Sequence, residues 1–155
     1  VAAERAAAPA LSASTMSGPS PRARVRSLPS MPHPHLVVLR SAATLLLSCL
    51  IAQAGWASAF LGGEDRFFRH HQLGAWVTLV VAVGTAVVYL ALRRSAGPVN
   101  LGLAVAVAVL VSLQYWLGES GDRALHIFVG VLLAMLGTAL TSWTYRHPMP
   151  EPTDP

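Results

Sequence analysis

The chain has 155 residues, 54% of them hydrophobic and only 12% charged. A soluble domain carries about 25% charged residues, so this composition excludes an ordinary water-soluble globule and points to lipid. The formal charge of +4 does not indicate nucleic acid, because the Arg residues stand at the ends of apolar runs, where membrane topology accounts for them.

Every basic residue is Arg, and Ala, Gly, Pro and Val are abundant, a bias that fits a G+C-rich bacterial genome. The single Cys49 excludes an intrachain disulfide and a Cys-based zinc site; inside an apolar run it reads as a small filler residue.

From Val1 to about residue 35 the chain is rich in Ala, Ser, Pro and Arg and has no apolar period. Such a segment buries too little surface to order itself and is expected to be a disordered tail over 1–35. Met16 and Met31 are possible starts, and starting at Met31 removes no predicted element.

Four apolar runs follow: Ser41 to Gly62 (led in by Leu36 to Arg40), His71 to Leu92, Val99 to Leu117, and Leu125 to Tyr145. Each approaches the roughly 20 residues that span about 30 Å of hydrocarbon as a helix. Helix is the conformation in which each run satisfies its own backbone in lipid. Short linkers make neighbours antiparallel. The expected fold is an all-α membrane protein, a four-transmembrane-helix up-down bundle over 36–146, with a second disordered tail over 147–155. A cleavable signal is the alternative for the first run, since Arg40 precedes it and Ala52-Gln53-Ala54 resembles a cleavage site; cleavage would break the repeat described next.

Arg22, Arg24, Arg26 and Arg40 precede the first run, Arg93 and Arg94 follow the second, and Arg146 follows the fourth. These ends are expected to be cytoplasmic, in a bacterial inner membrane. The opposite loops mix signs, with Glu64, Asp65, Arg66 and Arg69 in one and Glu119, Asp122 and Arg123 in the other. Trp56, Trp76, Trp116 and Trp143 lie near span ends, where indole prefers to sit.

The two halves resemble each other. Leu61-Gly62 is followed by His70 and Gly74 as Leu117-Gly118 is followed by His126 and Gly130, all at one offset of 56. Asp65-Arg66 and Asp122-Arg123 recur one residue out of register, and Gly84-Thr85-Ala86 leads to Arg93 as Gly137-Thr138-Ala139 leads to Arg146. A duplicated helical hairpin is the expected origin. It puts His70 and His126 at similar depth on the second and fourth helices, where two neutral imidazoles suit the axial positions of haem iron. Gly74 and Gly130, four residues on, share a face with their His and leave room for a flat macrocycle. Arg66 and Arg123, with Arg69, suit haem propionates. On a helix His71 points about 100° away from His70; register at a helix start can slip by one, which would exchange their roles. His33, His35 and His147 lie in the flanks and receive no role.

The pattern resembles one four-helix half of haem A synthase, the membrane enzyme that oxidises haem O. In that family a His-Arg-x-x-Gly/Ala string opens the second helix, where this chain has His70-His71-Gln72-Leu73-Gly74. A Gln before Leu-Gly and then a His-Leu-x-x-Ala string compare with Leu113-Gln114, Leu117-Gly118 and His126-Ile127-Phe128-Val129-Gly130. The resemblance covers about residues 41 to 146 and implies haem bound by His70 and His126. The family's outer-loop Cys pair and its second bundle are absent, Phe67 stands where an acidic residue precedes the first His, and His71 replaces the Arg. It therefore implies haem binding more than haem A synthesis.

The leading expectation is a small b-type cytochrome-like protein for electron transfer or for haem or oxidase assembly. The rivals are a cofactor-free accessory subunit of a membrane complex and a half-sized synthase acting as an oxidoreductase. The expected partners are the bilayer, haem, and a second copy or a larger respiratory complex, without nucleic acid. Ser112 and Ser120 have no base and acid at a convincing spacing for a hydrolase, and no span carries a mid-membrane charge that would mark a pore.

Overall fold

A computed structural model describes residues 33–148. It is a bundle of four helices: α1 (Pro34–Leu61), α2 (Arg66–Ala91), α3 (Arg93–Ser120) and α4 (Arg123–Arg146). At 1.5 Å per residue the shortest, 24 residues, is about 36 Å long, and all four are apolar and long enough to cross a membrane. Both tails fall almost wholly outside the described residues, although α1 already begins at Pro34.

Local chemistry sets the helix ends. Pro34 opens α1, where its missing N–H costs nothing, and the His33 ring accepts from the His35 backbone. Gly121, at φ 78°, ends α3 in the left-handed conformation that glycine adopts freely. Asp122 then caps α4, its carboxylate accepting from Leu125 N at 3.1 Å. The α3 helix is broken near its start: Gly97 has φ 76° and ψ 162°, and Pro98 restarts the helix from a position Pro favours. The spanning part of α3 thus begins at Pro98, close to the expected Val99.

Each helix packs against two neighbours in a ring, α1–α2–α3–α4, with only slight contact across the α1–α3 diagonal. The α1–α2 and α3–α4 turns lie at one end (the loop end), and the α2–α3 turn lies with the helix starts and finishes at the other (the termini end). Exposed faces carry Ile51, Val80, Val109 and Met135, as lipid contact requires. The buried faces are lined by small residues, including Ala43, Ala82, Ala104 and Gly137, which bring helices close enough for dispersion contact in a solvent that gives no hydrophobic drive.

The buried positions repeat. Leu39, Ala43, Leu46 and Leu50 of α1 are matched one for one, at a constant spacing, by Asn100, Ala104, Val107 and Val111 of α3. Gly74, Thr78, Ala82, Thr85 and Tyr89 of α2 are matched in the same way by Val129, Leu133, Gly137, Leu140 and Thr144 of α4. The packing register of the even helices is therefore the Tyr89-to-Thr144 offset of 55, one less than the offset read from Leu61-Gly62 and Leu117-Gly118. Leu61 is exposed at the last turn of α1, whereas Leu117 is buried inside α3, so that sequence match has no structural counterpart.

Candidate functional site

The even-helix register pairs His126 with His71. The rings of His71 and His126 are neighbours, centroids 6.0 Å apart and planes nearly perpendicular in an edge-on arrangement. His70, one residue earlier, is exposed. Its Nδ1 lies 3.0 Å from the Arg66 carbonyl of its own helix, and its ring borders Phe67 and Trp56. The structure thus joins His126 to His71 and leaves His70 outside the pair, a slip of one residue at a helix start.

Both neighbouring imidazoles are held the same way. His71 Nδ1 donates to Gln53 O of α1 at 3.3 Å, and His126 Nδ1 donates to Gln114 O of α3 at 3.0 Å. A carbonyl only accepts, so Nδ1 carries the proton and Nε2 keeps its lone pair in the neutral ring. A ligating His characteristically has its second nitrogen anchored in this way. The link also ties α1 to α2 and α3 to α4 near the loop end.

Gln53 and Gln114 stand in the same register as Leu50 and Val111, three positions before them on α1 and α3. Each packs over a glycine. A Cβ on Gly74 would collide with the Gln53 amide and the Trp56 ring, and one on Gly130 would lie 3.1 Å from Gln114 Nε2. The two glycines therefore admit glutamine side chains from the preceding helix, and Gly130 also borders the cavity described next. Gln53 Nε2 and Gln114 Oε1 are buried with no protein partner, and an unpaired buried amide atom is costly enough to call for one.

Both glutamines and both imidazoles border one cavity of about 460 Å³, within the range of small-molecule sites. Leu50, Thr78, Val111 and Leu133 form its inner wall, and Ala54, Ala57, Ile127 and Val131 lie toward the bundle surface. The lining is almost wholly apolar.

The arginines expected at the site lie above it, at the loop end. Arg66 pairs with Glu64 at 3.2 Å, both exposed, and its guanidinium lies 5.0 Å from the Phe67 ring centre. Arg123 is exposed in the first turn of α4. Each follows the residue at the N-cap of its helix, Asp65 or Asp122, so the recurring Asp-Arg pair marks helix starts. Among the described residues, no three His, Cys, Asp or Glu side chains come together as a metal site would require. No family model, no curated protein and no solved structure matches this chain.

Sequence reasoning missed Gln53, which read only as part of a cleavage-like string. The signal available was a second Gln ahead of a second His. It is masked by spacing: Gln53 and His71 are 18 residues apart, Gln114 and His126 only 12.

Proposed function

We propose that this multi-pass membrane protein binds one haem near the loop end of the bundle, with His71 and His126 as the two axial ligands. The observation that carries the reading is the neighbouring, identically anchored imidazole pair on an apolar cavity. Two imidazoles with ring centres 6.0 Å apart, each anchored through Nδ1, could hold one metal centre between their Nε2 atoms. Two His are too few for a structural zinc site, which takes four protein ligands. They suffice for haem, whose macrocycle supplies the other four donors. Haem held so would supply one-electron chemistry. The residues of the chain fix the imidazole tautomers and keep water from the site with an apolar lining.

The activity that follows is electron transfer, or haem handling in oxidase assembly, as the resemblance to half of haem A synthase also implies. The orientation belongs to the same reading: Arg40, Arg93, Arg94 and Arg146 stand at the termini end, a bias that favours cytoplasmic termini and a site toward the outer face. Reporter fusions after Asn100 and after the last residue should both read as cytoplasmic.

The test is the optical spectrum of protein purified in detergent from haem-replete cells. A low-spin, six-coordinate spectrum is expected, lost in His71→Ala and in His126→Ala and kept in His70→Ala. A spectrum lost in His70→Ala but kept in His71→Ala would refute the ligand pair.

A further inference from the structure

The cavity is bounded by four seams between helices, and three are closed near the loop end. The α1–α2 and α3–α4 seams are tied by the His71–Gln53 and His126–Gln114 hydrogen bonds. The α2–α3 seam is filled by Trp76 and Tyr115, ring centroids 4.8 Å apart.

The α1–α4 seam is closed over only half its length. Toward the termini, Thr141 Oγ1 donates to Ala43 O at 3.3 Å, the Tyr145 and Thr44 hydroxyls are 3.2 Å apart, and Arg40 donates to Tyr145 O at 3.2 Å. Above these, the Leu50 side chain sits so close to Gly137 that an added Cβ would lie 2.6 Å from it. Toward the loops, no side-chain hydrogen bond crosses this seam among the described residues, and the cavity lies there. Its rim is Leu61, Ile127, Val131 and Met135, all exposed apolar side chains on the lipid-facing surface.

The packing registers explain why this seam differs from its counterpart. In the register that matches His71 with His126, Trp76 of α2 corresponds to Val131 of α4. In the register that matches Gln114 with Gln53, Tyr115 of α3 corresponds to Ala54 of α1. Where the α2–α3 seam holds an aromatic pair, the α1–α4 seam holds Val131 and Ala54, and both border the cavity. The volume missing from two aromatic side chains forms the opening.

We infer that the cavity is loaded and emptied sideways, from the lipid phase, through the gap between Ala54 and Val131. This rests on the haem reading above. A flat, largely apolar macrocycle dissolves in the bilayer and can pass a mouth rimmed by apolar side chains without crossing the charged loops. The absence of the Trp/Tyr plug from one of two equivalent seams gives the site a single side door.

The test uses the full chain, without haem, reconstituted in phosphatidylcholine vesicles that already contain haemin. Growth of the Soret band follows uptake, and transfer to a haem-scavenging protein follows release. Ala54→Tyr combined with Val131→Trp copies the plug of the closed seam; it should slow both uptake and release about tenfold, a barrier increase of about 1.4 kcal/mol, with little change in their ratio. Trp76→Val combined with Tyr115→Ala opens the second seam and should speed both, which keeps the test decisive if the plugged variant does not insert. Unchanged rates in either pair of substitutions, with normal uptake by the unsubstituted protein, overturn lateral loading and leave the haem reading intact. No Soret band in the unsubstituted protein overturns the haem reading and this inference with it.

Discussion

The two ends of the bundle solve the same problem of buried polar groups in opposite ways. At the termini end, Tyr89 Oη lies 3.1 Å from Leu39 O and 2.7 Å from Thr144 Oγ1. Thr144 Oγ1 lies 3.3 Å from Asn100 Oδ1 and 2.8 Å from Leu140 O, and Asn100 Nδ2 donates to Ala96 O. This cluster joins all four helices and is satisfied by the protein alone; the unpaired nitrogens at that end are Arg40 Nε, in the second turn of α1, and His147 Nε2, just past the end of α4. At the loop end, Gln53, His71, Gln114 and His126 border a cavity, and one amide atom of each glutamine is buried without a protein partner. Leu39 and Asn100 are register mates, as Gln53 and Gln114 are; Tyr89 and Thr144 are register mates, as His71 and His126 are. One repeated packing scheme thus yields a polar lock at one end and a polar site at the other.

The largest effects should come from the loop end. His71→Ala and His126→Ala should each abolish the six-coordinate spectrum while leaving helix content by circular dichroism unchanged, since neither imidazole belongs to the core. If either substitution instead unfolds the bundle, the loop end is a structural lock like the other.

Next comes Gly74, where the two halves share a packing wall. Gly74→Ala drives a methyl group into the Gln53 amide and the Trp56 ring, and such overpacking costs about 1–3 kcal/mol. Gly130→Ala meets only the far end of Gln114 and should cost less. Equal losses of thermal stability in the two variants would contradict this difference.

At the termini end, Thr144→Val removes the hydroxyl that joins Tyr89 to Asn100. Hydrogen bonds between membrane helices are worth about 0.6 kcal/mol each and up to about 1.7, so a loss of about 1–2 kcal/mol in reversible detergent unfolding is expected. The haem spectrum should not change. A spectral shift in Thr144→Val would show that the two ends are coupled.

The smallest effect should follow Arg123→Ala. Its guanidinium is exposed at the helix start, where a charge pair is worth about 0–1 kcal/mol, so haem affinity should fall by no more than about fivefold. A larger loss would restore the propionate role that the sequence suggested.

Much of this was legible from the residues alone. Run length and hydropathy gave four spans and their order, and the expected Val99 start of the third lies one residue from Pro98. Leu61-Gly62 and Leu117-Gly118 set a register that packing does not follow, since one pair ends a helix and the other lies within one, and the structure accordingly puts His71 rather than His70 beside His126. Burial, which sequence does not display in an apolar chain, sets the packing register. The glycines read as space for a ligand, and in the structure Gln53 and Gln114 pack over them. An amide reaching across a helix pair leaves no periodic trace in so apolar a sequence, and the Trp76–Tyr115 plug leaves none either.

The central claim is that His71 and His126 share one haem iron. The most direct measurement is the optical spectrum of the detergent-purified protein, oxidised and reduced, beside that of the His71→Ala variant. Low-spin, six-coordinate bands in the unsubstituted protein that vanish in the variant are predicted. A colourless preparation from haem-replete cells that also takes up no added haemin would contradict the account.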